Sequence, residues 1–392
     1  MAVRLGFLST YTPTQCGIAT FCEALATQLA ADGAEVGVVR LVDEPQLELP
    51  PVVMEWVTAR PSDAAGVAAV LDTYDVAVVQ HEYGIFGGAD GTDVLDVVSR
   101  LDVPVLTVLH TVLTTPTPNQ HRVLARLLEY SDAVVTMTTT ARDRLVTGWG
   151  VDPARVTVIP HGAQDNRPAP VTVAVAVAVA VAVAEARADA PPDRRPTVLT
   201  WGLLSPGKGI EWALVALAEL RKRIDLPLYR VVGQTHPRVR EAEGESYRNR
   251  LLELTTDLGL TDCVSFDGRY LSGPELRDVV RDADVILLPY DSLEQVTSGV
   301  LTEAVAAGKP VISTSFPHAV ELLSGGAGVL VPQRDPCALA SALEHVLATP
   351  GVADGMAAVS RGLAASLLWP AVADRYLDLA SALQSARVTT VA

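Results

Sequence analysis

The sequence predicts an α/β fold in which two Rossmann-like, doubly wound domains face each other across a cleft. A chain of 392 residues exceeds what one hydrophobic core organises, which favours about two domains. The apolar fraction of 49% supplies enough core material and excludes a disordered chain. In both halves, short apolar runs alternate with helix-length amphipathic stretches, which is typical of parallel sheets covered by helices.

The predicted strands of the first half are almost continuously Val, Ile and Leu, as strands buried on both faces require. They are VRLGFLST, EVGVVRLV, VVMEWV, DVAVVQHE, PVLTVLHT, AVVTMT and VTVIPHG. Apolar residues at spacings of three and four predict a first helix from Ile18 that ends before Gly33. Its apolar stripe consists of Ile18, Phe21, Cys22, Leu25 and Leu29.

The second half repeats this alternation. Its predicted strands are TVLTWG, YRVVGQT, VSFDG, VILLPY, PVISTS and GVLVP, with helices over residues 210–220 and 246–258. Open parallel sheets bind ligands at the carboxyl ends of their strands. Two such sheets in series therefore predict a functional cleft between the domains.

We divide the chain into an N-terminal domain over 1–165, a linker over 166–196, a C-terminal domain over 197–368 and a terminal helix over 369–392. Within the linker, residues 171–184 alternate Val and Ala. This run is shorter than the ~20 residues of a transmembrane helix. An even alternation cannot specify a strand register, so we interpret it as a low-complexity insertion.

The charge balance limits the partners of the protein. With 46 acidic and 30 basic residues, the formal net charge is −16, which disfavours nucleic acid and anionic membranes. The four cysteines form no CxxC pair, so neither a disulfide framework nor structural zinc is expected. The first residues, MAVRLGFLST, lack the apolar region of a signal peptide, which favours the cytoplasm and no transmembrane segment.

Two strand-to-helix turns offer backbone amides to an anionic ligand. The first, residues 12–17, leads into the first helix, where Gly17 permits close approach. Because no GxGxxG motif is present, an ordinary strand-to-helix turn is the favoured interpretation of this segment by itself. The second, WGLLSPGKG, places Gly207 and Lys208 at a helix start and predicts a diphosphate cradle. Its spacing is not that of a P-loop, and a solvated loop lysine is the alternative.

A third segment, residues 292–303, follows the strand VILLPY. If a helix starts near Ser298, the amides of Ser298, Gly299 and Val300 point at the cleft. Glu303 would lie one turn further on, where a carboxylate can hold the hydroxyls of a ribose.

The stretches GLLSPGKG, QVTSGVLTEAVAAGKPVIST and VIPHG, together with Trp369-Pro370, resemble the retaining glycosyltransferases of family 4, also called glycosyl transferases group 1, which have the GT-B fold. The resemblance implies transfer of a hexosyl unit, with mannosyl and glucosyl as the first candidates, from a nucleoside diphosphate sugar to a hydroxyl acceptor. It also implies domain closure, a terminal helix that packs back on the first domain, and no metal or cofactor beyond the nucleotide-sugar co-substrate.

Carried over by position, the resemblance makes Lys208 a phosphate contact and Glu303 the ribose ligand. Leu203 replaces the family's usual phosphate-binding arginine. The first of the family's paired glutamates corresponds to Gln295, or is shifted to its neighbour Glu294. Gln295 can still bond sugar hydroxyls as donor and acceptor.

In the first domain, the resemblance places His110 beside the transferred sugar; without it, a structural histidine would be the first interpretation. His81 and Glu82 precede a glycine-containing loop to which we assign acceptor or sugar contacts. We also assign a sugar contact to His236, with a capped turn as the alternative.

Arg269 and Tyr270 follow another strand of the second domain. Arg269 can replace the charge missing at Leu203, with a surface ion pair as the alternative, and Tyr270 can lie near the base. Two other functions remain open. A nucleotide-sugar-binding protein without catalysis is consistent with the departures at Leu203 and Gln295, whereas a Rossmann-type oxidoreductase or epimerase lacks its GxGxxG motif here.

Overall fold

The computed structural model describes residues 2–46, 49–58, 60–167 and 194–391. The Val-Ala run at 171–184 lies outside the described residues. Within them, two parallel sheets with flanking helices confirm the predicted pair of doubly wound domains.

The first sheet has the order β3-β2-β1-β4-β5-β6-β7 over the described residues. Its strands are β1 Arg4–Ser9, β2 Glu35–Val42, β3 Val52–Val57, β4 Val76–His81, β5 Val105–Leu109, β6 Ala133–Thr136 and β7 Val156–Val158. The helices are α1 Gly17–Ala31, α2 Ala64–Leu71, α3 Val94–Val98, α4 Pro118–Tyr130 and α5 Thr139–Trp149. The strand order reverses between β1 and β4, which is where doubly wound sheets bind ligands.

The second sheet has the order β10-β9-β8-β11-β12-β13. Its strands are β8 Thr197–Trp201, β9 Leu228–Val232, β10 Val264–Asp267, β11 Val285–Leu288, β12 Val311–Thr314 and β13 Gly328–Val331. The helices are α6 Ile210–Leu220, α7 Pro237–Glu243, α8 Ser246–Asp257, α9 Gly273–Asp282, α10 Gly299–Ala306, α11 Pro317–Leu323, α12 Pro336–Ala348, α13 Val352–Leu367 and α14 Trp369–Val391. Here the order reverses between β8 and β11.

The chain crosses between the domains twice, and the two crossings lie side by side. The Ala163 amide donates to the Leu367 carbonyl at 2.8 Å, and the Trp369 amide donates to the Ala163 carbonyl at 3.1 Å. Beyond this pairing, α14 packs on the first domain and contributes Trp369 and Tyr376 to the core that contains Phe21. The terminal helix therefore belongs structurally to the N-terminal domain.

Gly162 lies where these crossings are tightest. A Cβ at this position would collide with the indole ring of Trp369. Only glycine fits there without moving the ring, so the position ties the chain crossing to the core beneath it.

Among the residues that the structure describes, no helix is both long enough and apolar enough to cross a membrane.

We expect Gly162→Ala to destabilise the protein by about 1–3 kcal/mol, because the added methyl group must displace the Trp369 ring. The measurement is the melting temperature by differential scanning fluorimetry. Gly362→Ala is the matched control: no atom lies within 4 Å of a Cβ at this helical position, so the change should be neutral or stabilising. Equal melting temperatures for Gly162→Ala and the unsubstituted protein would contradict the packing argument.

Candidate active site

The carboxyl ends of the two sheets meet directly across the domain boundary. Gln234, after β9, donates from its Nε2 to Gln15 Oε1 in the turn after β1, at 2.5 Å. A Cβ at Gly299, the first residue of α10, would lie 2.8 Å from His161 Nε2 in the N-terminal domain. The helix start predicted to face the cleft therefore lies against the opposite domain.

The loop after β8 places Lys208 beside the end of β11. Gly207 has a φ of +90°, which favours glycine, and its carbonyl accepts from the Asp291 amide at 2.9 Å. No atom lies within 4 Å of a Cβ at Gly207, so its backbone is open to a ligand. The Lys208 ammonium lies 4.2 Å from the centre of the Tyr290 ring, a distance suited to a cation–π contact.

The charge of Lys208 is available to an anion. Among the described residues, no carboxylate lies within 4.0 Å of its ammonium. His236 is nearby: burial lowers its pKa, and the positive charges of Arg238 and Lys208 lower it further. Its ring caps α7 by accepting from the Arg238 amide at 3.3 Å. Arg238 is a second cation that the sequence argument missed, although it directly follows His236-Pro237.

The start of α10 differs in one respect from the prediction. The Ser298 amide donates to His318 Nδ1 at 2.8 Å, so it is not available to a ligand. The Ser298 hydroxyl caps the helix by accepting from the Leu301 amide at 3.3 Å. The amides of Gly299 and Val300 are the ones that a helix start leaves without intrahelical partners.

Glu303 lies one turn into α10, partly buried behind these amides. Burial raises the pKa of its carboxyl to about 7, and a hydrogen bond with Trp201 opposes the rise. Near neutral pH the side chain therefore exists in both protonation states. Such a group can accept from a diol or donate to one of its oxygens.

Glu294 and Gln295 point to different partners. The Glu294 carboxylate accepts from the Thr114 amide at 3.0 Å, from the Thr114 hydroxyl, and from Arg144 Nη1 at 3.0 Å. Glu294 therefore joins the two domains. Its carboxylate is engaged in this interdomain ion pair, so it is not available as the donor ligand that the sequence predicted. Gln295 donates from Nε2 to the Thr297 carbonyl at 3.1 Å, within its own loop.

His110 lies at the end of β5, against the edge of Phe21 with ring centres 5.0 Å apart. Its Nε2 lies 2.7 Å from Gln80 Oε1, so Nε2 carries the proton and Nδ1 is an acceptor. Burial lowers the pKa of His110 to about 3, helped by His161 and His81. The ring is therefore neutral at physiological pH and can orient a hydroxyl but cannot act as a cationic acid.

His161 was quoted in the VIPHG motif but not predicted as a site residue. It contacts Phe21 edge-on at 4.9 Å, and its Nδ1 lies 2.7 Å from the Gly162 carbonyl. Burial lowers the pKa of His161 to about 4. His318, in the C-terminal domain, has its pKa lowered to about 4 by burial and by His161. The cleft thus brings neutral histidines together from both domains.

His81 does not reach the cleft. It is the last residue of β4, it is 0% exposed, and neither ring nitrogen has a partner among the described residues. Its ring packs edge-on against Tyr83 and parallel to Phe86. The strand was predicted to include His81, and in the structure its side chain is buried between Tyr83 and Phe86, which leaves no surface for the predicted sugar contact.

Glu82, next in the chain, lies at the domain boundary. Its carboxylate accepts from the Thr111 hydroxyl and from the Tyr83 amide at 3.0 Å, and burial raises its pKa. Arg238 donates to the carbonyl of Gly84 in the following loop. Through this bond the loop contacts the C-terminal domain.

The remaining predicted residues lie at the edges of the cleft. Arg269 pairs with Asp267 at 2.7 Å and with Glu275 at 3.5 Å, and its side chain is 67% exposed. This geometry favours the surface ion pair over the replacement of a missing phosphate contact. Tyr270 beside it is exposed. No atom lies within 4 Å of a Cβ at Gly17, so the start of α1 is open to a ligand.

No group of three or more His, Cys, Asp or Glu side chains arranged to hold a metal ion occurs in the described ranges.

The pH dependence of stability should have opposite signs at His318 and Glu303. A histidine with a lowered pKa stabilises the fold above about pH 6.5 and loses that contribution as the pH falls towards about 4. We expect His318→Gln, which keeps an acceptor for the Ser298 amide, to gain melting temperature relative to the unsubstituted protein as the pH falls from 7.5 to 5. Glu303→Gln should instead gain melting temperature relative to the unsubstituted protein as the pH rises towards about 7. The reason is that the unsubstituted protein loses stability as its buried carboxylate ionises.

His345→Gln is the control, because His345 is exposed. Its melting temperature should parallel that of the unsubstituted protein at every pH. A constant difference for both His318→Gln and Glu303→Gln across this range would show that neither group is held in the protonation state described.

Comparison with known proteins covers both domains. A family model described as Glycosyltransferase Family 4 matches residues 16–167, and one described as Glycosyl transferases group 1 matches residues 195–349. The D-inositol 3-phosphate glycosyltransferase of Rhodococcus opacus (strain B4) is 30% identical over 250 residues, which are 63% of this chain and 52% of that protein. A GDP-mannose-dependent alpha-(1-6)-phosphatidylinositol monomannoside mannosyltransferase of Mycolicibacterium smegmatis is 30% identical over 200 residues, 49% of this chain and 50% of that protein.

The chain thus spans about half the length of these two relatives. Among solved structures, Anabaena HepE in complex with UDP-glucose has a TM-score of 0.73 at 18% identity and covers 97% of this chain and 100% of that one. The two family models match consecutive domains in the order in which the sheets occur. The chain therefore belongs to the family 4 glycosyltransferases (glycosyl transferases group 1) and has the GT-B fold.

Proposed function

We propose that the protein transfers a hexosyl unit from a nucleoside diphosphate sugar to a hydroxyl acceptor, with retention of configuration. One observation carries this proposal: the start of α10 lies against His161 of the opposite domain at Gly299, and the Lys208 loop lies beside Tyr290 at the same edge of the second sheet. Family membership supports transfer, and the names of the relatives favour a mannosyl or glucosyl donor.

The donor's diphosphate would lie between Lys208 and the amides of Gly299 and Val300. Arg238, close to Lys208 through their shared neighbour His236, supplies the second positive charge that Leu203 does not. As the bond to the sugar breaks, negative charge grows on the departing diphosphate, and fixed donors in a partly buried cleft stabilise it. These groups perform that role without a resident metal or cofactor.

Glu303 would hold the ribose of the donor. Its pKa near 7 matches a group that exchanges hydrogen bonds with a neutral diol and carries no fixed repulsive charge towards the neighbouring phosphates. Trp201, which bonds Glu303, lies at the end of β8 and fixes its orientation. Tyr270, exposed beyond β10, is available to the base only at the cleft rim.

His110 would orient the transferred sugar through Nδ1, which accepts a hydrogen bond from a sugar hydroxyl while Nε2 donates to Gln80. Gln295 is the first candidate for a further sugar contact, because a small rotation exchanges its bond to the Thr297 carbonyl for a ligand. Neither residue is assigned as a nucleophile. Retention would then follow from attack of the acceptor on the same face from which the diphosphate leaves.

The acceptor would approach from the N-terminal domain, past Gly17 and the Glu82 loop. The relatives' names include an inositol phosphate and a phosphatidylinositol mannoside, so a polyol or sugar hydroxyl is the class we propose. All four cysteines are unpaired, which suits a reducing compartment, and we therefore place the reaction in the cytoplasm.

A nucleotide-sugar-binding protein without catalysis is the second candidate. The observation that favours it concerns the first of the family's paired glutamates, whose position is occupied here by Gln295. The neighbouring carboxylate, Glu294, is paired with Arg144 and so does not take over that role. A transfer assay distinguishes the two candidates. Binding of a nucleotide sugar that raises the melting temperature without product formation or donor hydrolysis would favour the second.

We expect Lys208→Ala to lower kcat/KM by at least ~10-fold, equivalent to ~1.4 kcal/mol of transition-state stabilisation. The donor is first identified by thermal-shift screening of UDP- and GDP-linked sugars, and the rate is then measured as release of the nucleotide. Lys222→Ala is the matched control, since Lys222 pairs with Glu219 on the surface at 2.9 Å. Undiminished kcat/KM in Lys208→Ala would contradict the proposed cradle.

Arg269→Ala should leave kcat/KM within about 2-fold of the unsubstituted enzyme, because exposed ion pairs contribute little and Asp267 already holds the guanidinium. Arg238→Ala should lower it, since Arg238 lies beside His236 and Lys208. The reverse result would be a lower kcat/KM for Arg269→Ala and an unchanged one for Arg238→Ala. It would identify Arg269, which follows β10, as the second phosphate contact.

A further inference from the structure

A cavity of about 240 Å³ lies on the flank of the N-terminal domain, between α4 and α5. It is built from the loop after β5, the start of α4 and the second half of α5. Its lining includes Leu113, Pro116, His121, Arg144, Thr147 and Trp149. None of these residues belongs to the donor cradle or to the histidines of the cleft.

Arg144 lines this cavity with donors that the protein does not use. Its Nη1 donates to the Val112 carbonyl at 2.7 Å and to the Glu294 carboxylate at 3.0 Å. A guanidinium has five N–H groups. In the part of the chain that the structure describes, no acceptor is found for those on Nε and Nη2, and neither nitrogen is fully buried, so both are open to water or to a ligand.

The walls of the cavity are apolar and aromatic. Trp149 stacks on His121 with ring centres 4.6 Å apart and planes 15° from parallel. Leu113 and Pro116 add aliphatic surface. None of the described lining residues is acidic, but the Glu294 carboxylate lies beside the cavity, where it bonds Arg144 at 3.0 Å and the Thr114 amide at 3.0 Å. Arg144 therefore has a counter-ion at Nη1, and its remaining N–H groups are the ones open to an oxyanion.

We propose that this cavity is a second ligand site, which binds a single ring that carries an oxyanion, such as a sugar phosphate or a sugar acid. The oxyanion would accept from Nε and Nη2 of Arg144, whose fork matches two such oxygens. The ring would lie against Trp149 and Leu113, with Thr147 as a hydroxyl partner. A volume below the roughly 300–1,000 Å³ of drug-sized pockets limits the occupant to about one ring.

The site goes beyond the transfer reaction because it requires neither the donor cradle nor catalysis. It is still linked to the domain boundary, since the same guanidinium that would hold the ligand holds Glu294 of the opposite domain. Occupancy therefore changes the strength of an interdomain contact, and by linkage domain closure changes the affinity of the site.

Isothermal titration calorimetry on the full chain tests the proposal with glucose 6-phosphate, glucuronate, glucose and inorganic phosphate. We expect at least one of the two anionic sugars to bind at least ~10-fold more tightly than glucose. Glucose is neutral and cannot make charged hydrogen bonds to the Arg144 guanidinium. Inorganic phosphate should bind more weakly than the anionic sugar, since it lacks the ring. Equal affinity for glucose and both anionic sugars would overturn the proposal.

Variants locate the binding. Arg144→Gln should weaken binding of the anionic sugar by at least ~10-fold, whereas Glu294→Gln, which breaks the same ion pair from the other side, should retain or strengthen it. Trp149→Ala should weaken binding of the ring but not of inorganic phosphate. Loss in Glu294→Gln equal to that in Arg144→Gln, or loss in Lys208→Ala, would assign the effect to the domain boundary or the cleft and overturn the site.

Discussion

The pairing of the two chain crossings is the constraint on which the site depends. Ala163 and Leu368 lie side by side, and Trp369 then packs on Phe21 beneath the cleft. Phe21 in turn supports His110 and His161 with its edges. One aromatic side chain, Phe21, therefore connects the chain crossing, the terminal helix and the histidines, so the relative placement of the domains and the shape of the site are decided together.

Burial and charge are divided between the two sides of the cleft. The N-terminal domain contributes histidines whose pKa values are lowered to about 3 and about 4 by burial, so this wall is neutral. The C-terminal domain contributes Lys208, Arg238 and helix amides, so this wall is positive. In a chain of net charge −16, such a local concentration of positive charge is what a diphosphate requires.

Several contacts across the domain boundary come from segments beside the proposed donor site. Glu294 lies in the loop before α10 and bonds Thr114 and Arg144. Glu321 lies on α11 and accepts from the amides of Thr139 and Thr140 at 2.7 and 3.0 Å, at the positive end of α5. Glu294 and Glu321 therefore both join the C-terminal domain to α5.

The sequence by itself determined the features that depend on neighbours along the chain: the buried parallel strands, the first helix, and the glycine-flanked Lys208 and Ser298 segments at strand ends. It could not determine which side chains bond across the cleft. Glu294 and Thr114 are 180 residues apart, and neither their spacing nor their residue types indicate the contact.

Only the tertiary structure decided that Ser298 gives its amide to His318, that Arg269 pairs with Asp267, and that His81 is buried at the end of β4. The physical reason is that backbone pattern follows local periodicity, whereas a polar side chain takes whichever partner the packed domains bring within about 3 Å.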